Sequence, residues 1–226
     1  MLLFTKPPHP GKVKTRLIGE LSAEQAAAMH RAFLGDVSEQ LAGGRFRLCT
    51  AWALAEEEDA PHHLVAAESD HVAQAAGDLG DRLFAGLQEA AEEAACVGAI
   101  GSDHPELGAE QVEEAFRRVE RGADVVFGPS FDGGYYLIAL ARAAVRRELF
   151  AGIPWSTPAV LEASLERCRE LGLIVEQLEV AHDIDFVEDL RGLADRLKTG
   201  AGSCRRTRAL LEDWGWLPPV AREETA

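Results

Sequence analysis

The chain has 226 residues, 47% of them hydrophobic and 27% charged, and a formal net charge of −15. That size and balance suit one soluble domain with a sizeable core. So negative a chain is poorly matched to a nucleic-acid polymer, whose binding rests on phosphate neutralisation. No apolar run approaches the roughly 18 residues of a membrane span. The opening MLLFT is short for a secretory leader and lacks a basic flank, so the cytoplasm is the expected location. Cys49, Cys96, Cys168 and Cys204 are scattered without a C-x-x-C pair, which predicts reduced thiols, not a zinc or redox motif.

LLFT (2–5) reads as a buried strand. KPPHPGKVKTRL (6–17) then gathers Lys6, Lys12, Lys14 and Arg16 in a loop stiffened by Pro7, Pro8 and Pro10. SAEQAAAMHRAFLGDVSEQL (22–41) reads as a helix, with Ser22 and Gln25 in capping-box spacing. RFRLCTAW (45–52) alternates as a strand does, and HHLVAA (62–67) is a weaker strand. DRLFAGLQEAAEEA (81–94) is helical, and CVGAIG (96–101) is an apolar run with a sharp stop. GAEQVEEAFRRVERG (108–122) is helical, while ADVVFG (123–128) and YYLIALA (135–141) are strands. TPAVLEASLERCRELG (157–172) is a helix with Thr157 as N-cap and Pro158 at its first position. LIVEQLEV (173–180) is a strand. DFVEDLRGLADRL (185–197) is a helix with Asp185 and Glu188 in capping-box spacing. This alternation predicts an α/β fold with a mostly parallel sheet. A single domain over 1–198 is expected, with a docked helix and frayed tail over 199–226. An exposed Trp214 and Trp216 there would suggest a homodimer contact.

In open α/β sheets the site lies beyond the C-terminal strand ends, so the loops there are read together. The first loop is neither a Walker loop nor a G-x-G-x-x-G turn. Gly11 nonetheless allows close backbone approach, and Lys12, Lys14 and Arg16 are suited to phosphate oxygens. In SDHPEL (102–107), Asp103 suits a hard cation such as Mg²⁺, or else forms an Asx turn. In GPSFDGGYYL (128–137), Asp132 precedes Gly133 and Gly134, which marks a cleft residue or a hairpin. In HDIDFVEDL (182–190), Asp183 and Asp185 point the same way on an extended segment. A helix cap accounts for Asp185 but not for Asp183. Two carboxylates brought together repel by about 4 kcal/mol at about 4 Å, with an effective dielectric of about 20. A divalent cation removes that cost. Such a metal facing lysines and arginines makes a diphosphate site.

Five ordered blocks carry a resemblance: F-T-K-P-P-H-P-G-K-V-K-T-R-L, I-G-S-D-H-P-E-L, G-P-S-F-D-G-G-Y-Y-L, I-P-W-S-T-P and D-I-D-F-V-E-D-L, with GDLGDR (77–82). Over residues 2 to about 197 the chain resembles the bacterial radical-SAM/selenodomain-associated transferase 1 family, also labelled arsenosugar-biosynthesis glycosyltransferase. That family is similar to GT-A nucleotide-diphospho-sugar transferases. The resemblance implies a Rossmann-like, three-layer α/β/α sandwich with a mixed, mostly parallel sheet. It further implies a nucleotide loop of Lys6, Gly11, Lys12, Lys14 and Arg16, with Ser102 beside it. Asp103 and Asp185 would ligate Mg²⁺ or Mn²⁺. Asp132, Gly133, Gly134 and Tyr135 would line the acceptor side with Trp155, Ser156 and Thr157. Asp132 would serve as general base if the reaction inverts, and Tyr135 and Trp155 would either stack on base or sugar or pack in the core.

Two departures stand out. Ser102-Asp103-His104 replaces the usual aspartate-any-aspartate metal motif, and Phe186-Val187 replaces a Thr-Pro pair. The D-x-P block also resembles molybdenum-cofactor and 2-phospholactate guanylyltransferases, although their glycine-rich L-A-G-G loop is missing. Glycosyl transfer from a nucleotide-diphosphate sugar to a small-molecule acceptor is therefore the first expectation. Nucleotidyl transfer from a nucleoside triphosphate is the second, and a non-catalytic nucleotide-binding module the third. No nucleic-acid or membrane partner is expected.

Overall fold

A computed structural model describes residues 1–199 and 204–218. At its centre is one sheet of β1 (Leu2–Thr5), β2 (Cys49–Trp52), β3 (Asp70–Ala73), β4 (Cys96–Gly101), β5 (Val125–Pro129), β6 (Tyr135–Ala141) and β7 (Val175–Gln177). The strand order is β3-β2-β1-β4-β6-β5-β7. Neighbours are parallel except for β6, which runs antiparallel to β4 and β5. The exception is local in origin. A short turn through Asp132-Gly133 joins β5 to β6, and a hairpin must reverse direction. Elsewhere helices make the connections: α1 (Ala23–Ala42), α2 (Leu79–Glu93), α3 (Ala109–Glu120), α4 (Arg147–Phe150) and α5 (Val160–Glu170). The helices α6 (Val187–Lys198) and α7 (Arg205–Asp213) follow β7. The architecture is the expected three-layer α/β/α sandwich with a mixed, mostly parallel sheet.

Side chains of successive strand residues leave opposite faces. Leu3 and Ile100 therefore enter a core built with Leu34 and Val37 of α1 and Val112 of α3. Leu2 and Val97 enter the other core, with Leu83 and Leu87 of α2 and Phe150 of α4. Each fully enclosed Leu or Phe is worth about 1.5–3 kcal/mol. A third cluster joins Leu17 and Leu21 at the end of the first loop to Phe33 of α1, Leu193 of α6, Leu211 of α7 and Ile184.

Several local expectations are corrected. HHLVAA does not form a strand: His62–Leu64 is a single 3₁₀ turn, and the strand is Asp70–Ala73. This strand pairs only with β2, and an edge strand does not need an apolar pattern. Only Val175–Gln177 of LIVEQLEV joins the ladder, again at an edge. The helix expected from Thr157 begins at Val160 with Ala159 as its N-cap, and Thr157 instead closes a turn by donating to Pro154 O (2.7 Å). The α6 cap is Phe186, not Asp185. Asp189 Oδ2 accepts from the Phe186 N–H (2.8 Å) and the Asp185 N–H (3.1 Å), which frees the Asp185 carboxylate. Ser22 and Gln25 form the capping box their spacing predicts. All four thiols are unpaired, and Cys168 and Cys204 are buried.

The docked C-terminal helix is held by an unusual cap. Asp36, buried in the middle of α1, accepts from Arg206 N (2.9 Å), Thr207 N (2.8 Å) and Thr207 Oγ1 (2.6 Å). Its carboxylate thus satisfies orphan amides at the start of α7 and faces the positive helix end. Gly35 permits the approach, because a Cβ there would lie 2.5 Å from Arg206 Cδ. Trp214 and Trp216 lie partly buried against the third cluster, so the exposed pair that would have suggested a dimer contact is not present. The expected frayed tail, from Pro219 on, lies outside the described residues. Asp36→Ala is expected to destabilise the protein by about 2–4 kcal/mol, because three charge-assisted hydrogen bonds are lost together. Guanidinium unfolding would measure this, with faster amide exchange concentrated at 205–213.

Candidate active site

β1 and β4 lie side by side: the chain runs outward from β1 through β2 to β3, then crosses back to place β4 on the other side of β1. This is the switch point of the sheet, where a crevice opens beyond the strand ends. A cleft of about 510 Å³ is found there. Lys6, Lys12, Lys14 and Arg16 of the first loop line it with Ser102, Asp103, Ser156 and Asp185. Eight residues singled out from sequence therefore converge on one cavity from four separate loops.

The centre of the arrangement is Lys14. Its ammonium donates to Ile184 O (2.6 Å) and bridges Asp103 Oδ1 (2.7 Å) and Asp185 Oδ1 (3.1 Å). The lysine side chain is 3% exposed, whereas Asp103 is 45% open to the cleft. Arg16 Nη1 donates to Asp185 Oδ2 (2.7 Å), and its guanidinium lies over Phe186 at 5.2 Å. Burial opposes the charge on Lys14, but Asp103 and Asp185 raise its pKa above the ordinary lysine value. Burial also opposes the charge on Asp103, yet Lys14, His30 and Lys6 hold its carboxyl below the usual range. Lys14 adopts φ 46°, a left-handed conformation that strains a non-glycine residue by on the order of 1 kcal/mol. The turn at Gly11 (φ 75°) brings the chain round before it.

Beneath the cleft runs a buried polar network. Thr5 Oγ1 lies 3.2 Å from Ser102 Oγ and 3.3 Å from His30 Nε2, which is also 3.1 Å from Lys6 O. Gln74 donates to Thr5 O (3.2 Å) and Ala51 O (2.9 Å), tying the ends of β1 and β2 together. His30, Gln74 and Arg82 line the cleft without having been singled out from sequence. Arg82 falls in GDLGDR and was within reach of that reading. His30 and Gln74 gave no signal, because each is one polar residue in an ordinary element.

A second, smaller cavity of about 110 Å³ adjoins the first. Gly101, His104, Tyr135, Tyr136 and Asp183 line it, and Asp103 and Asp185 line both cavities as a shared wall. Burial, then Asp103, Asp132 and Asp185, push the Asp183 carboxyl up to about 7. The acceptor-side residues divide. Tyr135 reaches the small cavity and Ser156 the cleft, but Asp132, Gly133, Gly134, Trp155 and Thr157 line neither. Asp132 Oδ1 accepts from Ser130 Oγ (2.7 Å) and Gly134 N (2.9 Å), so it fixes the hairpin turn. Gly133 (φ 87°) is required there, since a Cβ would lie 2.1 Å from Pro158 O. Trp155 lies partly buried against the core beside Gly80 and Tyr135, the packing alternative of its two readings.

The carboxylates provide a partial metal set. Among the described residues no group of three or more His, Cys, Asp or Glu side chains is arranged to hold an ion. Asp103 and Asp185 nevertheless converge on one cation, and Mg²⁺ is commonly held by one or two carboxylates with the remaining positions taken by water and substrate phosphate. Lys14 and Arg16 already take Asp103 Oδ1 and both oxygens of Asp185, so a divalent ion would share or displace those contacts.

Taken together, the sheet order, the switch-point cleft and its strand-end loops define a nucleotide-diphospho-sugar transferase fold. The chain belongs to a bacterial family of uncharacterized conserved proteins, DUF2064, whose profile matches residues 37–157. It is similar, at 33% identity over 94% of this chain and 93% of the other with a TM-score of 0.86, to a protein from Desulfovibrio desulfuricans G20 provisionally named a nucleotide-diphospho-sugar transferase. A cytidylyltransferase from Leptospira borgpetersenii serovar Hardjo-bovis (strain JB197) shares the fold at 11% identity, over 95% of this chain and 93% of that one, with a TM-score of 0.58. CMP:2-keto-3-deoxy-manno-octonic acid synthetase complexed with CTP shares it at 13%, over 88% and 98%, with a TM-score of 0.54. No curated protein matches the sequence.

Replacing Lys14 by Met is expected to lower stability by about 2–4 kcal/mol at neutral pH. That is somewhat below the range for a fully buried broken pair, since Asp103 is open to the cleft. A depressed carboxyl contributes stability that is present above its unfolded value and lost as pH falls through its folded value. The gap between wild type and Lys14→Met should therefore close on acidification below the ordinary aspartate range. Thermal unfolding at a series of pH values would show it.

Proposed function

We propose that the protein is a metal-dependent glycosyltransferase that moves a sugar from a nucleotide-diphosphate sugar to a small-molecule acceptor. The supporting observation is the charge layout of the cleft. Among the described residues, Lys6, Lys12 and Arg82 face the cavity without a carboxylate partner, opposite Asp103 and Asp185. Three unpaired cations in an otherwise acidic chain suit a diphosphate.

In this reading Lys6, Lys12 and Arg82 bind the diphosphate oxygens, and Lys14 and Arg16 keep the two carboxylates apart and oriented. Asp103 and Asp185 would hold Mg²⁺ or Mn²⁺, which when bound neutralises charge on the diphosphate. The acceptor oxygen forms its bond to the anomeric carbon as the bond from that carbon to the diphosphate oxygen breaks. The electron pair leaves with the nucleoside diphosphate, and the acceptor proton passes to a carboxylate. For that base we propose Asp132, whose Oδ2 takes no hydrogen bond among the described residues and which, lining neither cavity, would have to reach the acceptor from the hairpin turn. The five blocks further lead us to propose membership of the narrower radical-SAM/selenodomain-associated transferase 1 family, acting in the cytoplasm.

One observation favours a second reading, nucleotidyl transfer with release of pyrophosphate. Three unpaired cations outnumber the two charges of a diphosphate diester, and a triphosphate would use them more fully. A thermal-shift screen of nucleotide sugars and nucleoside triphosphates, with and without Mg²⁺ or Mn²⁺, tests both. A hundredfold excess over Kd should raise Tm by about 5–10 °C, and Asp103→Ala should abolish the metal-dependent part. Release of nucleoside diphosphate supports glycosyl transfer, and release of pyrophosphate supports the second reading. If no nucleotide shifts Tm with either metal, both fall.

A further inference from the structure

We propose that His30 is a positioning residue: through Thr5 it turns the Ser102 hydroxyl into the cleft as a fixed hydrogen-bond donor to an anionic phosphate oxygen. The inference rests on the reading that the cleft binds phosphate, but not on which group is transferred.

The relay takes its direction from His30. This residue of α1 is 5% exposed, and its Nε2 lies 3.1 Å from Lys6 O and 3.3 Å from Thr5 Oγ1. A carbonyl oxygen only accepts, so Nε2 carries a hydrogen. The other ring nitrogen gives the same answer. Nδ1 is buried and has no partner, and a hydrogen there would be a buried donor without an acceptor, which is costly. Burial holds the His30 pKa below the ordinary histidine value, in keeping with a neutral ring whose one hydrogen sits on Nε2. Protonation would leave that hydrogen in place, so the direction does not depend on the charge of the ring.

Thr5 is the next link. Its Oγ1 receives the shared Nε2–H, so its own hydrogen goes elsewhere. Ser102 Oγ is at 3.2 Å, whereas Lys6 O is at 3.5 Å and already accepts from His30. The shorter contact is the stronger one, and Thr5 therefore donates to Ser102. Ser102 Oγ then accepts on its inner side, and its hydrogen has no acceptor among the described residues. Ser102 lines the cleft with Lys6 and Lys12, so the cleft is the open direction for that hydrogen.

A relay ordered in this way offers a hydrogen, not a lone pair, to whatever binds. It suits an oxygen that only accepts, as an ionised phosphate oxygen does. Without the relay the hydroxyl would have to settle into one of about three staggered orientations on binding. Among the described residues none of the three relay side chains is hydrogen-bonded to Asp103 or Asp185. The ordering therefore stands whether or not a divalent ion rests on those carboxylates.

Two measurements test this. In the full chain labelled with ¹⁵N-histidine, the His30 signals are identified by their loss in His30→Gln, and Nε2 should carry the hydrogen at neutral pH. If Nε2 is the unprotonated nitrogen, the relay runs the other way and the inference is overturned. Binding is then followed by calorimetric titration with inorganic pyrophosphate, once with Mg²⁺ and once with a chelator. Ser102→Ala should weaken it by about tenfold or more, as the loss of a hydrogen bond to a charged group does. Thr5→Val and His30→Leu should each weaken it by about threefold. Thr5→Ser, which keeps the hydroxyl, and His30→Gln, whose amide still donates, should recover most of that loss. In the Ser102→Ala background, Thr5→Val and His30→Leu should cause no further loss, whereas a merely structural role would weaken binding equally in both backgrounds. Equal losses in the two backgrounds, or no loss in either variant, overturn the inference and leave the phosphate reading intact. If pyrophosphate binds the wild type in neither condition, the phosphate reading falls and the inference falls with it.

Discussion

Everything at the cleft depends on one ammonium group. Lys14 reaches from the first loop to Asp103 after β4 and to Asp185 before α6, joining segments far apart in the chain. Without it, two carboxylates would face each other at the sheet switch point, in surroundings where like charges repel strongly. With it, the loops after β1 and β4 and the segment before α6 share one anchor. The left-handed turn at Lys14 is the conformational cost of aiming that side chain inward. Because the ammonium also bonds Ile184 O, the backbone between Asp183 and Asp185 is held with it. One residue therefore positions the cleft, the shared wall and the back of the small cavity together.

This anchor also resolves an apparent conflict in composition. A chain with a net charge of −15 concentrates basic residues in its first loop, and they divide into two groups. Lys14 and Arg16 are neutralised internally and shape the wall. Lys6 and Lys12 are left facing the cleft, joined there by Arg82 of α2. Surface charge at a distance is screened within about 10 Å at moderate salt, so the acidic exterior does little to cancel the field of these three cations inside the cleft.

Much of this was legible in the sequence, for identifiable reasons. The apolar runs LLFT, CVGAIG and YYLIALA are central strands buried on both faces, and such runs announce themselves. Edge strands do not, which is why Asp70–Ala73 was displaced into HHLVAA and β7 was overextended. Convergence of Asp103, Asp185 and the basic loop followed from the rule that sites lie beyond strand ends. The identity of the bridging cation did not, since local pattern carries no sign of which of three lysines turns inward. Asp185 looked like a helix cap because Glu188 stood at the right spacing. The cap actually forms one residue later with Asp189, and the freed carboxylate is the one that Lys14 and Arg16 hold. Trp155 stayed open between ligand and core for a related reason: a large aromatic beside a site motif looks alike in sequence whether it meets a ligand or, as here, a glycine on α2.

The capping of α7 by Asp36 has a mechanical consequence for the rest of the molecule. α7 closes a cluster whose other members include Leu17 and Leu21, at the end of the basic loop, and Ile184, between the two aspartates. α7 is therefore the keystone behind the cleft, packed against both the basic loop and the segment that carries Asp185. α1 carries Asp36 near its middle and His30 two turns earlier, so the same rod that clamps the keystone also braces the floor beneath Thr5 and Lys6. A change that loosens the Asp36 cap is therefore expected to slacken the basic loop as well as α7.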